Sequence, residues 1–305
     1  MGDGFLDRKV KAACVSVISN SFLTIGKLVV GLMMGSVSVI SEAVHSGMDL
    51  VAALIAFFAV RKAAQPADAK HRYGHGKFEN VAGIIEALLI IGAAMIIIWQ
   101  AANKFFTATP VEALGLGALI MGFSAGVNLA VSQYLFKVAR ETGSPALEAD
   151  AWHLRTDVYT SAGVLGGIGA MHLTGWQFWD PLTAVVIAVL IGKAGFKLIA
   201  DSGASILDVK LPEPEEEAIR AAVTQYGSEF VEFHALRTRK SGSERHIDLH
   251  LVMPRHSSLD NVHGLCDRIE DAITDAVPKA NVLIHVEPCD EKCEHCVKRE
   301  ECEVE

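Results

Sequence analysis

The stretch SEAVHSGMD, Ser41–Asp49, decides how this chain folds, because it sets His45 and Asp49 inside a run otherwise apolar enough to cross a membrane. A second stretch, DAWHLRTD at Asp150–Asp157, repeats the pattern with His153 and Asp157. Each is an H-x-x-x-D pair, and on an α-helix residues four apart leave the same face about one turn from each other. Two such pairs supply two imidazole nitrogens and two carboxylate oxygens, a complete tetrahedral shell for a divalent metal such as zinc.

Outward from these stretches, six apolar segments are long enough to span about 30 Å of hydrocarbon at about 1.5 Å per residue. They fall near 11–34, 36–60, 80–103, 114–138, 149–172 and 178–200. Glycine is frequent within them, which is costly in soluble helices but allows membrane helices to approach closely. The N-terminal apolar run is much longer than a signal-peptide core, so it reads as a retained first membrane helix.

Loop charges set the orientation. Arg8, Lys9 and Lys11 precede the first segment, Arg61, Lys62, Lys70, Arg72 and Lys77 fill the second loop, and Lys137 and Arg140 lie at the fourth. The opposite loops carry only Lys104. The positive-inside rule then makes both termini and the second and fourth loops cytoplasmic. On that orientation His45, Asp49, His153 and Asp157 lie within roughly 10 Å of the bilayer midplane, at similar depth on antiparallel helices.

Composition divides the chain. Half of it is hydrophobic, at 51%, yet residues 1–203 hold 15 Lys+Arg against 14 Asp+Glu while residues 204–305 hold 12 against 22. An acidic second part repels nucleic acid and suits a cationic partner. Its pattern is αββαβ. PEPEEEAIRAAVTQYG (212–227) reads as a helix opened by proline and acidic residues, 230–239 and 245–253 alternate as strands about an LRTRKSGSERH hairpin, 258–277 is a second helix and 281–286 a third strand. The expected division is a six-helix transmembrane domain at 1–203, a small ferredoxin-like α/β domain at 204–288 with its helices on one sheet face, and a Cys-rich acidic tail at 289–305.

Intramembrane His and Asp are expensive and persist mainly for ions, protons or helix pairing. A single one reads equally as a helix–helix hydrogen bond; two matched pairs favour a metal. The second loop, PADAKHRYGHGKFE (66–79), adds Asp68, His71 and His75, three ligand-type residues within eight positions, with a solvated loop as the alternative reading. The tail CDEKCEHCVKREEC (289–302) carries Cys289, Cys293, Cys296 and Cys302 with His295, which could bind zinc or belong to a disordered acidic tail. Four of six cysteines in the last 17 residues are no secreted disulfide framework. A zincin-type metalloenzyme would need H-E-x-x-H, which is absent, and four protein ligands leave no position for a catalytic water.

The YGHGK loop, both H-x-x-x-D pairs, six helices and the C-terminal pattern together resemble the cation diffusion facilitator family, close to its bacterial YiiP-type members, over about residues 8–288. The resemblance implies a secondary transporter rather than an enzyme, exchanging divalent metal for protons as a homodimer in the cytoplasmic (inner) membrane of a bacterium or archaeon. It also implies zinc as the first substrate, with Fe(II), Co(II) or Cd(II) as alternatives and a non-transporting metal sensor as another. Carried over by position, it makes His45, Asp49, His153 and Asp157 the transport site and Asp68, His71 and His75 a loop site. His234, His250, His263, His285 and Glu287 match a regulatory zinc cluster that holds two soluble domains together, with Glu287 where the subgroup has Asp. Lys77 and Asp208 match a salt bridge at the dimer interface. His45 stands where YiiP-like members have Asp, and imidazole in place of an oxygen ligand favours zinc over harder manganese.

Overall fold

The computed structural model describes residues 2–35, 37–106, 116–176 and 178–289. Its elements are α1 (Gly2–Met34), α2 (Val37–Ala63), α3 (Lys77–Phe106), α4 (Leu116–Thr142), α5 (Pro145–Thr174), α6 (Trp179–Ile206), α7 (Glu213–Thr224), β1 (Glu232–Ser241), β2 (Glu244–Met253), α8 (Leu259–Ala276) and β3 (Ala280–Pro288). They divide into two compact units, Met1–Gly203 and Ala204–Glu305.

Five of the six long helices contain stretches long and apolar enough to cross a membrane: Arg8–Met33, Glu42–Ala63, Lys77–Asn103, Leu119–Thr142 and Pro181–Ile206. The sixth, α5, has 30 residues, about 45 Å of helix. It falls short on composition, because Asp150, His153, Arg155 and Asp157 crowd its first half. In the first unit α1 packs along α2, α4 along α5, and α3 against α5. Small residues permit this. A Cβ on Gly31 of α1 would lie 2.9 Å from Ile40 Cγ1 and 3.1 Å from the Ile40 backbone nitrogen of α2.

α1, α3 and α5 begin earlier than the apolar segments do. α1 takes in Arg8, Lys9 and Lys11, which hydropathy alone assigns to a solvated leader. Straight-chain cations are good helix formers, and here Arg8 and Lys9 meet carboxylates. Arg8 meets Glu141 at 2.7 Å, and Lys9, only 1% exposed, forms an ion pair with the fully buried Glu79 of α3. Glu79 also accepts from the Ser144 hydroxyl. Ser144 is the N-cap of α5, accepting from Leu147 N, and Pro145 follows at the first helical position. One carboxylate thus ties α1 and α3 to the start of the helix that carries His153 and Asp157.

The second unit is a three-stranded mixed sheet, β1–β2 antiparallel and β2–β3 parallel through the α8 crossover. Expected strand and hairpin limits shift: most of LRTRKSGSERH is strand, and the turn narrows to Gly242–Ser243, with Gly242 at φ 60°. Alternate β2 residues Ile247, Leu249, Leu251 and Met253 pack with Ile219 and Val223 of α7 and Leu265, Ile269 and Ile273 of α8. Burial of each large aliphatic contributes about 1.5–3 kcal/mol. The period of two leaves His246, Asp248, His250 and Val252 on the other face.

Candidate metal sites

Among the described residues, three groups of His, Asp and Glu bring ligand atoms close enough to share a metal ion: His45, Asp49 and Asp157; Asp68, His71 and His75; and His234, His250 and Glu287.

The first group lies between α2 and α5. Each imidazole faces the carboxylate of the other helix: His45 Nε2 is 3.8 Å from Asp157 Oδ1, and His153 Nε2 is 3.2 Å from Asp49 Oδ1. The i,i+4 spacing that aligns each pair on its own helix therefore produces crossed pairs between helices. His153 joins the group through Asp49, so all four residues singled out in the sequence are brought together. Asp49 is buried and His45 is the most exposed of the four. Asn128 of α4, which sequence reading missed, donates to Asp157 Oδ2 at 3.1 Å. This bond orients one carboxylate oxygen and leaves the other toward His45. Its signal was an amide in the middle of an apolar helix.

Near this group two more carboxyls are fully buried. Glu86 of α3 and Asp150 of α5 have no hydrogen bond of normal geometry to any of their four carboxylate oxygens among the described residues, although Asp150 faces Ser16 of α1.

The loop group is built by a local turn. Asp68 Oδ1 accepts from the backbone N–H groups of Lys70 at 2.8 Å and His71 at 2.7 Å. The same carboxylate lies 3.2 Å from His71 Nδ1 and 3.1 Å from His75 Nε2. Gly74 sits at φ 80° and its N–H bonds the His71 carbonyl, closing the turn that returns His75 to Asp68. His75 is buried, and its Nδ1 lies 3.3 Å from the Gln65 carbonyl. The His71 N–H, with the other bonds to the carboxylate, pulls the Asp68 pKa down to about 2, so the group remains an anion wherever a metal could bind.

The third group is a row across the sheet. His234 pairs with His250 in the β1–β2 register, and His250 with His285 in the β2–β3 register. The rings are 5.3 and 4.8 Å apart. A β-bulge follows His234, where Ala235 takes a left-handed φ of 51°. Glu287, two residues past His285, points to the same face. It lies 2.8 Å from His250 Nδ1, 3.5 Å from His234 Nε2 and 3.7 Å from His285 Nε2. Three imidazoles and one carboxylate suit zinc, and the longer Glu reaches all three rings.

Within one chain His263 stands apart from this row. His263 is exposed on α8, 3.5 Å from Asp267. α8 packs on the aliphatic face of the sheet and the histidine row occupies the opposite face, so the sheet itself separates them. Asp208, at φ 54°, lies 3.4 Å from Arg239 of β1. Lys77 is the first residue of α3, in the other unit. Cys289 is buried at the end of β3, with its N–H on the Met253 carbonyl. Cys293, Cys296, Cys302 and His295 lie outside the described residues.

The chain matches two family models, the cation efflux transmembrane domain over residues 13–207 and the cation efflux protein cytoplasmic domain over residues 211–289. It is 33% identical over 285 residues to the uncharacterized transporter sll1263 of Synechocystis sp., covering 93% of this chain and 92% of that one. It is 31% identical over 279 residues to the cation-efflux pump FieF of Citrobacter koseri, covering 92% of each. Against FieF of Yersinia pestis the identity is 34% over 285 residues, 92% of this chain and 94% of that one.

Proposed function

The chain belongs to the cation diffusion facilitator family of metal efflux transporters, and on that premise we propose that it moves Zn2+ out of the cytoplasm in exchange for protons through His45, Asp49, His153 and Asp157. The observation that carries this reading is the crossed pairing of the four side chains between α2 and α5. Each imidazole already faces a carboxylate, an arrangement that trades protons for a cation. Metal binds neutral imidazole and ionised carboxylate, so arriving Zn2+ displaces protons and arriving protons displace Zn2+. Two nitrogens and two oxygens favour zinc over manganese, while Fe(II), Co(II) and Cd(II) accept the same donors.

In this reading α5 is the sixth span. It turns His153 and Asp157 to the site, as expected for ionisable residues in a membrane helix. Both termini are cytoplasmic, in the inner membrane of a bacterium or archaeon. Two chains form a homodimer through the second unit, whose His234, His250, His285 and Glu287 hold a regulatory zinc. His263 completes that cluster only from another chain, and Lys77 and Asp208 pair across the dimer. Asp68, His71 and His75 bind a further ion at the cytoplasmic surface, and the tail cysteines extend this capacity. Cytoplasmic metal then stabilises the dimer by mass action. Alternating access, with one helix group rocking against another, confines each exchange to one side.

The test is counterflow in sealed proteoliposomes loaded with a zinc dye and a pH dye. Zinc entry accompanied by opposite proton movement supports exchange. Zinc binding without either flux would instead make the protein a membrane metal sensor.

A further inference from the structure

Residues 133, 137 and 140 of α4 fall on one exposed helix face, and between that face and α5 lies a recess of about 370 Å³ lined by Gln133, Phe136, Lys137, Arg140, Glu141 and Arg155. Its charge is one-sided. Glu141 is taken by Arg8 at 2.7 Å. Among the described residues Lys137 and Arg140 have no hydrogen-bond or ion-pair partner. The half-buried Arg155 is held by its Nε bond to Ser132 Oγ at 3.1 Å and by the Phe136 ring, 5.4 Å from its guanidinium carbon. Neither partner is an anion, and both leave its terminal nitrogens without a protein acceptor among the described residues.

Arg155 lies ten residues past Pro145, about 15 Å along α5. It is therefore well inside the level of Arg140, near the end of an α4 apolar enough to cross a membrane. A guanidinium at that depth without a carboxylate is costly in hydrocarbon, and its stem directs the charge toward the interface. Lys137 and Arg140 stand where a cytoplasmic-leaflet headgroup would lie. Paired cations between helices at that level are the chemistry that holds an anionic lipid phosphate.

We propose that this recess binds the phosphodiester headgroup of an anionic phospholipid, with Lys137 and Arg140 at its rim and Arg155 at its base. The lipid supplies the anion that the fold omits and bridges α4 to α5, the pair that carries Asn128 and Asp157. The proposal rests on the membrane reading of α4 and α5 and is independent of whether the protein transports.

The full-length protein in neutral detergent, titrated with lipid and read by native mass spectrometry, tests it. Phosphatidylglycerol is expected to be retained and phosphatidylcholine not. Affinity should fall about fivefold in Arg155→Gln and about 25-fold in Lys137→Gln/Arg140→Gln, near one fivefold step per cation. The second variant alters only exposed positions and decides the matter if the first fails to fold. Inorganic phosphate in excess should not displace the lipid; displacement would make the recess a free-anion site and overturn the proposal. So would equal retention of phosphatidylcholine, unchanged phosphatidylglycerol binding by the double variant, or no lipid on the wild-type protein because a second copy of the chain covers the recess. None of these readouts requires zinc flux.

Discussion

Glu287→Gln removes one charge and almost no volume from the histidine row, and its effect can be worked out in advance. A four-ligand structural zinc site binds with about 10–16 kcal/mol, so one ligand carries roughly 3 kcal/mol, about a hundredfold in Kd. In this structure Glu287 is the carboxylate within 3.7 Å of all three row histidines, so the full ligand share is lost. At free zinc of about 100 times the wild-type Kd, ligation stabilises the folded domain by about 2.7 kcal/mol. The variant at the same concentration gains about 0.4 kcal/mol. For a domain of this size these correspond to Tm increases of about 11–22 °C and about 2–3 °C. The second unit, with its own core, is the molecule to heat, with and without zinc. Metal-free melting should change little, because Glu287 is a third exposed and Gln keeps an acceptor. An equal zinc-induced Tm rise in both proteins would refute the assignment of Glu287 as a ligand.

Other outcomes follow from the same geometry. His45→Asp, which restores an all-oxygen pair on α2, should relax discrimination between zinc and cadmium by roughly tenfold in a transport competition assay. Asp68 is an anion down to about pH 2, so its carboxylate should remain available to a metal throughout about pH 5–8. The depressed Asp68 pKa likewise favours the folded loop above about pH 4, an advantage lost only as pH falls toward 2. Metal titration between pH 5 and 8 of a chain with the other sites removed checks this. Ala235→Gly relieves a left-handed alanine at the bulge and should raise the metal-free stability of the second unit by up to about 1 kcal/mol in urea unfolding.

The sequence carried the long helices and the shared helix faces of His45 with Asp49 and of His153 with Asp157, because both are periodic signals: long apolar runs and a four-residue spacing. It did not carry which side chain would face which. Same-helix spacing says nothing about the crossed His45–Asp157 and His153–Asp49 pairs, which depend on how α2 meets α5. Asn128 was hidden for a related reason, since a single amide in an apolar helix reads the same whether it serves a site or a neighbouring helix. Lys9 resembled a solvated leader charge until folding brought Glu79 to it from 70 residues away. The row of His234, His250 and His285 depends on strand register, and residue type does not reveal that α8 sets His263 on the far side of the sheet from it. α5 shows the limit of hydropathy: the polar residues that single it out also make it less apolar over a membrane-length stretch than the other five long helices.

The most direct measurement of the central claim is zinc and proton flux in proteoliposomes carrying Asp157→Ala beside the unaltered chain. Asp157 faces His45 across the site, is oriented by Asn128 and has no part in the loop or sheet clusters. Loss of both fluxes to the level of protein-free vesicles, with monodispersity and zinc binding by the second unit retained, is the predicted result. Undiminished zinc-driven proton movement in Asp157→Ala would contradict it.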